Sequence, residues 1–463
     1  MVTMARPAAM RVWAIGLGTV LAPLDTAVNI AFPAIGHNLD LTIGDVQWLV
    51  ISYVLTYAAL MLALGRAGDL IGHAVVFRAG LAWSIVALAL CATARSFAVL
   101  LACRVLQGVG AALVLSCGAA LITGLHAEER RGRALGLYVM TMAIGTALGP
   151  LLGGVLVGLW DWPAVFWFRV PIAAAALLWP RVAPDPATSG REPDRNVRAE
   201  RTVVREPFDL VGAGLVALAL LLTLLALNRA REMLGAPLGL LAIATIVLLV
   251  RHEARHTAPI LDPRLFRLPG FALINAANVL INLAAFSVWL LVPFYLAQLT
   301  DLTPAAGGVV LGAAAAGAIV ATPVAGRLIG RIPALRIALA GGMMTATGLF
   351  LVGTWGVGTS AIWLIGTLAV QGFGLGLFQL ASTDIVIAAI PRENRGVAGS
   401  LAMVTRTVGT VAAAAVVMLL FQSLEASAGF VAAYRDTFLV AAAVALATVA
   451  LLALGYRPGG REA

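Results

Sequence analysis

Asp25 is a carboxylate inside the first long apolar stretch of the chain, LAPLDTAVNIAFPAI. A charged carboxylate at the centre of a membrane-spanning helix costs about 2.5–3.5 kcal/mol, so such a residue usually has a function. A carboxyl group there can carry a proton, because apolar surroundings favour its neutral form and water favours its ionised form. We therefore predict a proton-coupling or substrate-binding role for Asp25, with a static ion pair as the alternative.

Arg104 is a permanent positive charge in the fourth apolar stretch, about six residues inside its outer boundary. A guanidinium at that depth needs an internal partner, and Asp25 is the obvious candidate. Protonation of Asp25 would then release the arginine, so the pair could sense the proton. Gln107 follows one helical turn later and faces the same way. The alternative is that Arg104 extends its head group to the outer lipid surface.

Several other polar residues lie in apolar stretches and could face a substrate. Tyr53 and Tyr57 have the spacing of one helical face, and Asn275, Asn278 and Asn282 form a stripe on a later stretch. Buried amides on one stripe usually face either a cavity or another helix. The predicted substrate cavity comprises Asn29, Tyr53, Gln107, Asn278, Asn282, Gln371 and Arg406.

Two glycine-rich segments complete the candidate machinery. In GRAGDLIGHAVVFR the glycines permit a tight turn, and Asp69 can accept hydrogen bonds from a neighbouring helix N-terminus or from Arg78. The predicted cytoplasmic gate comprises Gly65, Asp69, Gly72 and Arg78. In GTALGPLLGG the glycines form a small-residue face for close helix packing, and the proline bends the helix. This second segment comprises Gly145, Gly149, Pro150, Gly153 and Gly154.

The composition requires a lipid environment. The 463 residues are 61% hydrophobic and 11% charged, whereas a soluble protein carries roughly 25% charged residues. Fourteen stretches provide the ~20 apolar residues that a membrane span needs. With the N-terminus in the cytoplasm, 24 of the 31 arginines fall in inside segments, which predicts that both termini are cytoplasmic. The five arginines assigned to outside segments are Arg95, Arg169, Arg229, Arg231 and Arg435.

The chain contains one internal repeat at a constant offset of 264 residues. Gln107 and Gly108 correspond to Gln371 and Gly372, and the match continues into the next apolar stretch. Because six spans occupy roughly 200 residues, the offset leaves room for two inserted spans between the copies. We predict an all-α integral membrane protein with 14 helices in a 6+2+6 order. Its predicted parts are an N-terminal six-helix bundle (1–180), a cytoplasmic linker (181–206), two inserted helices with a loop (207–268) and a C-terminal six-helix bundle (269–463).

These motifs resemble those of the major facilitator superfamily, in particular its fourteen-span drug/proton antiporter branch. The resemblance rests on LDTAVNIAFP, GRAGDLIG, RVLQGVGAAL, GTALGPLLGG and PRENRGVAGSLAMVTRTVG. It implies two pseudo-symmetric six-helix bundles that rock about a shared cavity and export amphipathic compounds in exchange for protons. It also implies that Asp69 belongs to the cytoplasmic gate and that Arg104 relays protons. The residues it assigns to the antiporter signature are Gly149, Pro150, Gly153 and Gly154.

The chain departs from that family pattern in three places. The gate segment has Leu70, His73 and Ala74 where the family usually has basic residues. Asn29 follows the aspartate by four residues, whereas the family spacing is five, which would rotate it by about 100° on a regular helix. Arg169 occupies a position where the family commonly has asparagine.

Together, these features predict a proton-coupled secondary transporter that exports small hydrophobic or amphipathic compounds. The coupling ion would be the proton, and no cofactor is expected. No GxxxxGK[ST] motif occurs, so a gradient must supply the energy. A dedicated exporter of an endogenous metabolite or antibiotic is the alternative. A membrane-embedded enzyme or sensor would need clustered ionisable residues; the five histidines lie in loops or at span ends, so we expect no catalytic or metal site.

The expected partners are a small-molecule substrate and the lipid bilayer. The net charge of +9 could suggest nucleic acid, but the loop positions of the arginines explain it by membrane topology. We therefore expect a monomer in the bacterial cytoplasmic membrane that binds no nucleic acid.

Overall fold

The computed structural model describes residues 6–125, 131–178, 209–228, 233–256, 268, 270–389 and 395–456. The secondary structure of these residues is helical, apart from one isolated β-bridge between Ile329 and Ile332. The first nine helices are α1 (Arg6–Thr19), α2 (Ala27–Ile30), α3 (Phe32–Leu39), α4 (Ile43–Ile71), α5 (His73–Ala92), α6 (Phe97–Gly124), α7 (Arg131–Trp160), α8 (Ala164–Trp167) and α9 (Arg169–Leu178). The others are α10 (Leu210–Asn228), α11 (Gly235–Glu253), α12 (Phe271–Leu299), α13 (Pro304–Leu328), α14 (Ala334–Gly353), α15 (Ala361–Ala389) and α16 (Arg395–Gly455). The predicted linker 181–206 lies outside the described residues.

Eleven helical segments in the described part of the chain are long and apolar enough to cross a membrane. Two further apolar segments are shorter, Ala164–Leu178 and Gly214–Thr223. Helix α16 continues for 61 residues through a break at Gly429, whose φ of 77° lies outside the helical range. The protein is therefore an all-helical membrane protein, whereas the count of fourteen spans in a 6+2+6 order stays a prediction.

Local capping explains where several long helices begin. Helix α4 starts at a capping box, in which the Thr42 hydroxyl accepts from the Asp45 amide and the Asp45 carboxylate accepts from the Thr42 amide. Ser96 caps α6, and Thr303 caps α13 ahead of Pro304. These side chains satisfy amide groups that have no partner inside the helix.

The first span is interrupted where Asp25 lies. The predicted apolar span at about 12–36 includes the candidate membrane span Val12–Ile30. It is not one continuous helix, since α1 ends at Thr19 and a 3₁₀ turn covers Pro23–Thr26 before α2 begins. Proline lacks an amide hydrogen, so the turn at Pro23 cannot continue the α-helical hydrogen bonds. The 100° rotation expected for Asn29 therefore does not apply, because it assumes a regular helix.

The interrupted segment packs against the glycine face of α7. A Cβ atom at Gly145 would lie 2.8 Å from the Pro23 ring, and one at Gly149 would lie 2.9 Å from the Ala27 amide nitrogen. A Cβ atom at Gly153 would lie 2.8 Å from the Ala27 carbonyl oxygen. These contacts are too short for any side chain, so the glycines allow the backbone that carries Asp25 to lie directly on α7.

Pro150 supplies a second attachment for the same segment. A proline inside a helix leaves the carbonyl group four residues earlier without its helical donor. That carbonyl belongs to Thr146, and the Thr26 hydroxyl lies 3.0 Å from it as a donor, shared with the Pro23 carbonyl oxygen at 2.9 Å. The hydrogen bond ties the 3₁₀ turn to α7 and satisfies an acceptor that would otherwise be unpaired in the membrane.

Helix α7 also joins the two halves of the chain. A Cβ atom at Gly154 would lie 3.0 Å from the Gly308 Cα atom of α13, so these two helices touch through their backbones. Nearby, the rings of Phe32 and Phe294 stack with centroids 6.5 Å apart. Both contacts lie towards the end of the bundle that carries the 40–42 loop, which the arginine distribution predicts to face outside.

We expect Gly149→Ala to lower the thermal unfolding midpoint of the purified protein. The new methyl group would push Thr26 and Ala27 off α7, and overpacking of this kind costs about 1–3 kcal/mol. Gly158→Ala is the matched control in the same helix, because its Cβ atom would meet only the Pro304 side chain at 3.9 Å. Equal midpoints for the two variants would contradict the packing described here.

Candidate functional site

Asp25 lies in a buried cluster of charges within the N-terminal half. Arg104 binds it in a bidentate manner, with Nη1 2.7 Å from Oδ1 and Nη2 2.8 Å from Oδ2. Arg169 Nη1 donates to Oδ1 at 2.7 Å, and Gln107 Nε2 donates to the same oxygen at 2.8 Å. Asp25 is only 7% exposed, so its carboxylate exchanges the hydrogen bonds of water for bonds from charged and amide donors.

Arg104 has partners on every side. Its Nε donates to the Leu49 carbonyl oxygen at 2.8 Å, and Nη1 also donates to Gln107 Oε1 at 2.7 Å. The guanidinium lies 4.4 Å from the centroid of the Tyr53 ring, a cation–π contact. Arg104 is 1% exposed, so it points into the bundle, and the alternative that it reaches the outer lipid surface is wrong.

Arg169 joins this cluster, although the distribution of arginines along the sequence predicts it in an outside segment. It begins α9 as a fully buried side chain. Its Nε donates to the Val165 carbonyl oxygen at 3.0 Å, and its guanidinium lies beside the rings of Phe166 and Phe168. The signal was present in the sequence, because an arginine between Phe168 and Val170 has no polar neighbour and replaces the asparagine common in the resembling family.

The cluster therefore holds two positive charges and one negative charge. At a buried site the attraction between such charges is much stronger than in water, but so is the cost of an unpaired charge. Protonation of Asp25 would leave the guanidiniums of Arg104 and Arg169 without this counter-ion. Proton uptake thus requires that water enters the cluster or that the arginines move away from it.

A small cavity lies next to this cluster. It is lined by Arg169, Gln107, Tyr53 and Ser84 together with apolar side chains, and it offers about 10 Å³ to the centre of a water molecule. This is about the space that one water needs. Arg169 Nη2 is buried and has no hydrogen-bond partner among the described residues. The cavity is therefore suited to hold one water that accepts from Arg169.

Two tyrosines of α4 lie beside the cluster. Tyr53 packs edge-on against Tyr57 with centroids 5.3 Å apart, and the Tyr53 hydroxyl lies 3.4 Å from the Ala22 carbonyl oxygen. Helix α4 packs against α16 of the C-terminal half, on which Arg406 is exposed. Asn29 is buried near the start of α2.

The predicted amides of the C-terminal half lie between helices. Asn278 Oδ1 accepts from the Ser382 hydroxyl at 3.1 Å, and Asn282 Oδ1 accepts from Gln379 Nε2 at 2.9 Å. Gln371 is 2% exposed. Of the two alternatives for this stripe, the contact with another helix is the one observed, since both asparagines bind α15.

The glycine-rich gate segment differs from its prediction. The turn was expected from Gly65 onwards, but α4 continues through Gly65 and Asp69 to Ile71. Only Gly72, with a φ of 102°, forms the turn, because glycine alone adopts that conformation without strain. Arg78 is exposed, and the Asp69 side chain lies outside the described residues.

A helical membrane protein with close backbone contacts between two halves and a buried ion cluster in one of them has the design of a secondary transporter. A family model confirms this class: the chain belongs to the Major Facilitator Superfamily, whose model matches residues 15–251 and 274–463. The resemblance noted in the motifs is therefore correct.

Characterised relatives have names that refer to resistance and transport. The chain is 30% identical over 423 residues to the tetracenomycin C resistance and export protein of Streptomyces glaucescens, covering 89% of this chain and 75% of that protein. It is 30% identical over 409 residues to the multidrug resistance protein Stp of Mycobacterium tuberculosis, covering 86% and 73%. It is also 27% identical to the riboflavin transporter RibZ of Clostridioides difficile, covering 83% and 82%.

Solved transporter structures share the fold. A POT family transporter in complex with 5-aminolevulinic acid superimposes with a TM-score of 0.66 at 12% identity, covering 97% of this chain and 96% of that one. A bacterial homologue of the lysosomal transporter Spinster, in an inward-facing conformation, gives a TM-score of 0.65 at 16% identity, covering 98% and 96%.

We expect Asp25→Asn to destabilise the protein more than Arg169→Gln. The first change leaves two buried guanidiniums without their anion, a loss of about 3–5 kcal/mol. The second leaves a neutral pair of Asp25 and Arg104. The thermal unfolding midpoint in detergent measures the difference, with the exposed Arg78→Gln as the control. A larger loss in Arg169→Gln than in Asp25→Asn would contradict this account of the charges.

Proposed function

We propose that this chain is a proton-coupled exporter of small hydrophobic or amphipathic compounds. The single observation that carries the proposal is the buried carboxylate of Asp25, bonded to Arg104 and Arg169 within a Major Facilitator Superfamily chain. An intramembrane carboxylate with basic partners is the usual arrangement for carrying a proton through a membrane protein. The names of the tetracenomycin C and Stp relatives support export of drug-like compounds.

The packing suggests how movement and proton exchange are linked. Gly149 and Gly153 hold the segment that carries Asp25, and Gly154 of the same helix contacts α13 of the other half. A relative movement of the two halves therefore acts on the helix beneath the carboxylate. In the proposed cycle this movement admits water to the cluster, Asp25 exchanges its proton, and the arginines then bind the ionised carboxylate again.

The proposed substrate route lies between the two halves. Tyr53 contacts Arg104 on one side and Tyr57 on the other, and α4 packs against α16, the helix that carries Arg406. A compound bound beside Tyr57 would thus be one aromatic ring away from the charge cluster. Aromatic walls with few charges suit amphipathic compounds.

The finer architecture is part of the same proposal. We propose fourteen spans in a 6+2+6 order, with both termini cytoplasmic, in a monomer of the bacterial cytoplasmic membrane. The boundaries would be 1–180, 181–206, 207–268 and 269–463. The bias of 24 of 31 arginines towards inside segments supports this orientation.

A dedicated exporter of one metabolite or antibiotic is the second candidate function. It is favoured by relatives named for one compound, such as the methylenomycin A resistance protein of Streptomyces coelicolor, which is 30% identical over 418 residues. Deletion of the gene separates the two functions: sensitivity to several unrelated dyes supports multidrug export, whereas retention of one product inside the cell supports a dedicated exporter.

Asp25→Asn should abolish pH-gradient-driven dye transport in inverted membrane vesicles. The amide cannot exchange a proton, so the gradient can no longer drive the cycle. Asp40→Asn is the matched control, because Asp40 is an exposed residue at the end of the same span in a left-handed conformation that asparagine tolerates. Gradient-driven transport at the wild-type rate in Asp25→Asn would remove Asp25 from coupling.

Arg169→Asn should shift the pH profile of transport to higher pH. Removing one of two positive charges makes proton binding at Asp25 easier, so half-maximal coupling occurs at a lower proton concentration. The measurement is the initial rate of dye transport as a function of pH in vesicles with a constant gradient. A profile that keeps its midpoint while only the maximal rate falls would show that Arg169 serves stability alone.

A further inference from the structure

A second cluster of ionisable side chains lies at the ends of the predicted inserted helices. Residues 252–256 read HEARH, and His252 and His256 come together with Asp209, so that one ligand atom of each lies within 4.8 Å of the others. The sequence predicts no metal site at these histidines because they lie at span ends, and that prediction takes no account of how the span ends pack. Two span ends meet here, and the sequence separates them by more than forty residues.

The fold explains why these residues meet. Helix α10 begins directly after Asp209 and α11 ends at Glu253, and the two helices pack antiparallel. Beyond Glu253 the chain completes one more turn, in which the His256 amide donates to the His252 carbonyl oxygen at 3.0 Å. The two imidazoles therefore lie on one face, with ring centroids 5.4 Å apart, opposite the Asp209 carboxylate.

Asp209 is held firmly in this position. Its side chain is 2% exposed, and Oδ1 accepts from the Gly212 amide at 2.6 Å at the start of α10. A Cβ atom at Gly212 would lie 2.7 Å from both Asp209 Cγ and Glu253 Oε1. The glycine thus lets both carboxyl groups pack on the helix backbone.

The donor set and its distances suit a transition-metal ion. His252 Nε2 lies 2.7 Å from Asp209 Oδ1, and His256 Nδ1 lies 4.0 Å from Asp209 Oδ2. Donors at the corners of a zinc tetrahedron are about 3.3 Å apart, given bond lengths of ~2.0 Å. Two histidines at i,i+4 on one helix with a carboxylate from elsewhere match the three protein ligands of an open zinc site.

We propose that Asp209, His252 and His256 form a binding site for Zn²⁺ that fastens the start of α10 to the end of α11. The metal would bridge the two ends of the hairpin, and a water molecule would take the fourth position. Both histidine side chains are more than one-fifth exposed, which leaves the site open to ions from solution. This site is separate from the Asp25 cluster and does not depend on the transport activity proposed above.

The test uses the full-length protein in detergent, with any histidine tag removed and bound metal stripped by a chelator. Zinc is then titrated against a chromogenic chelator, and thermal unfolding is followed with and without zinc. We expect one zinc per chain and a higher unfolding midpoint in zinc. Replacing a ligand in His252→Ala or Asp209→Asn should weaken zinc binding by more than about 100-fold. That loss is larger than the effect usual for residues that contact a metal ligand but not the metal itself.

His37→Ala is the matched control, because His37 is exposed and belongs to the first span; it should bind zinc like the wild type. His256→Ala is a second ligand variant, in which the His252–Asp209 hydrogen bond is kept, so its loss of zinc binding would not be due to misfolding. The proposal is overturned if zinc does not raise the midpoint, or if the ligand variants bind it as the wild type does. A lower midpoint in His252→Ala without any zinc effect would identify a hydrogen-bonded helix clasp instead.

Discussion

The arrangement of the N-terminal half depends on the cost of burying a carboxylate. Away from water, an ionised aspartate persists only if other groups replace its hydration. Four donor contacts from Arg104, Arg169 and Gln107 do this for Asp25. Each arginine must in turn be fixed, and carbonyl oxygens and aromatic rings from α4 and α8 provide this support. The charge cluster thus links the 3₁₀ turn at Asp25 with α4, α6, α8 and α9.

A second requirement is that the backbone itself reaches this position. In an unbroken helix, side chains would keep the backbone that carries Asp25 at the usual interhelical distance from α7. Here a 3₁₀ turn and three glycines bring the first span into backbone contact with α7. The same helix then contacts α13 through Gly154. Helix α7 therefore supports the segment that carries Asp25 and also contacts the other half of the protein. A mechanical link between the charge cluster and movement of the halves requires such a shared helix.

Much of this could be predicted from the sequence, and the failures have physical causes. Composition predicted the membrane environment, and glycine spacing predicted the packing face of α7. Both signals are local properties of the sequence. Arg169 is predicted in an outside segment, since counting charges along the chain takes no account of burial. The meeting of Asp209 with His252 was also missed, because it depends on how two helices pack. The pairing of Asp25 with Arg104 could be predicted, because each charge lowers the free-energy cost of burying the other.

Pro150 illustrates how one missing hydrogen atom can link distant positions. Because proline has no amide hydrogen, the Thr146 carbonyl oxygen lacks its helical donor, and the Thr26 hydroxyl donates to it instead. The repeat has Ala414 at the corresponding place, where an ordinary amide is present. Only the first copy therefore offers this acceptor to a neighbouring span. Exchange of the proline would remove the need for the hydroxyl, and loss of the hydroxyl would leave the carbonyl without a donor where the 3₁₀ turn packs on α7, so the residues at 26 and 150 depend on each other.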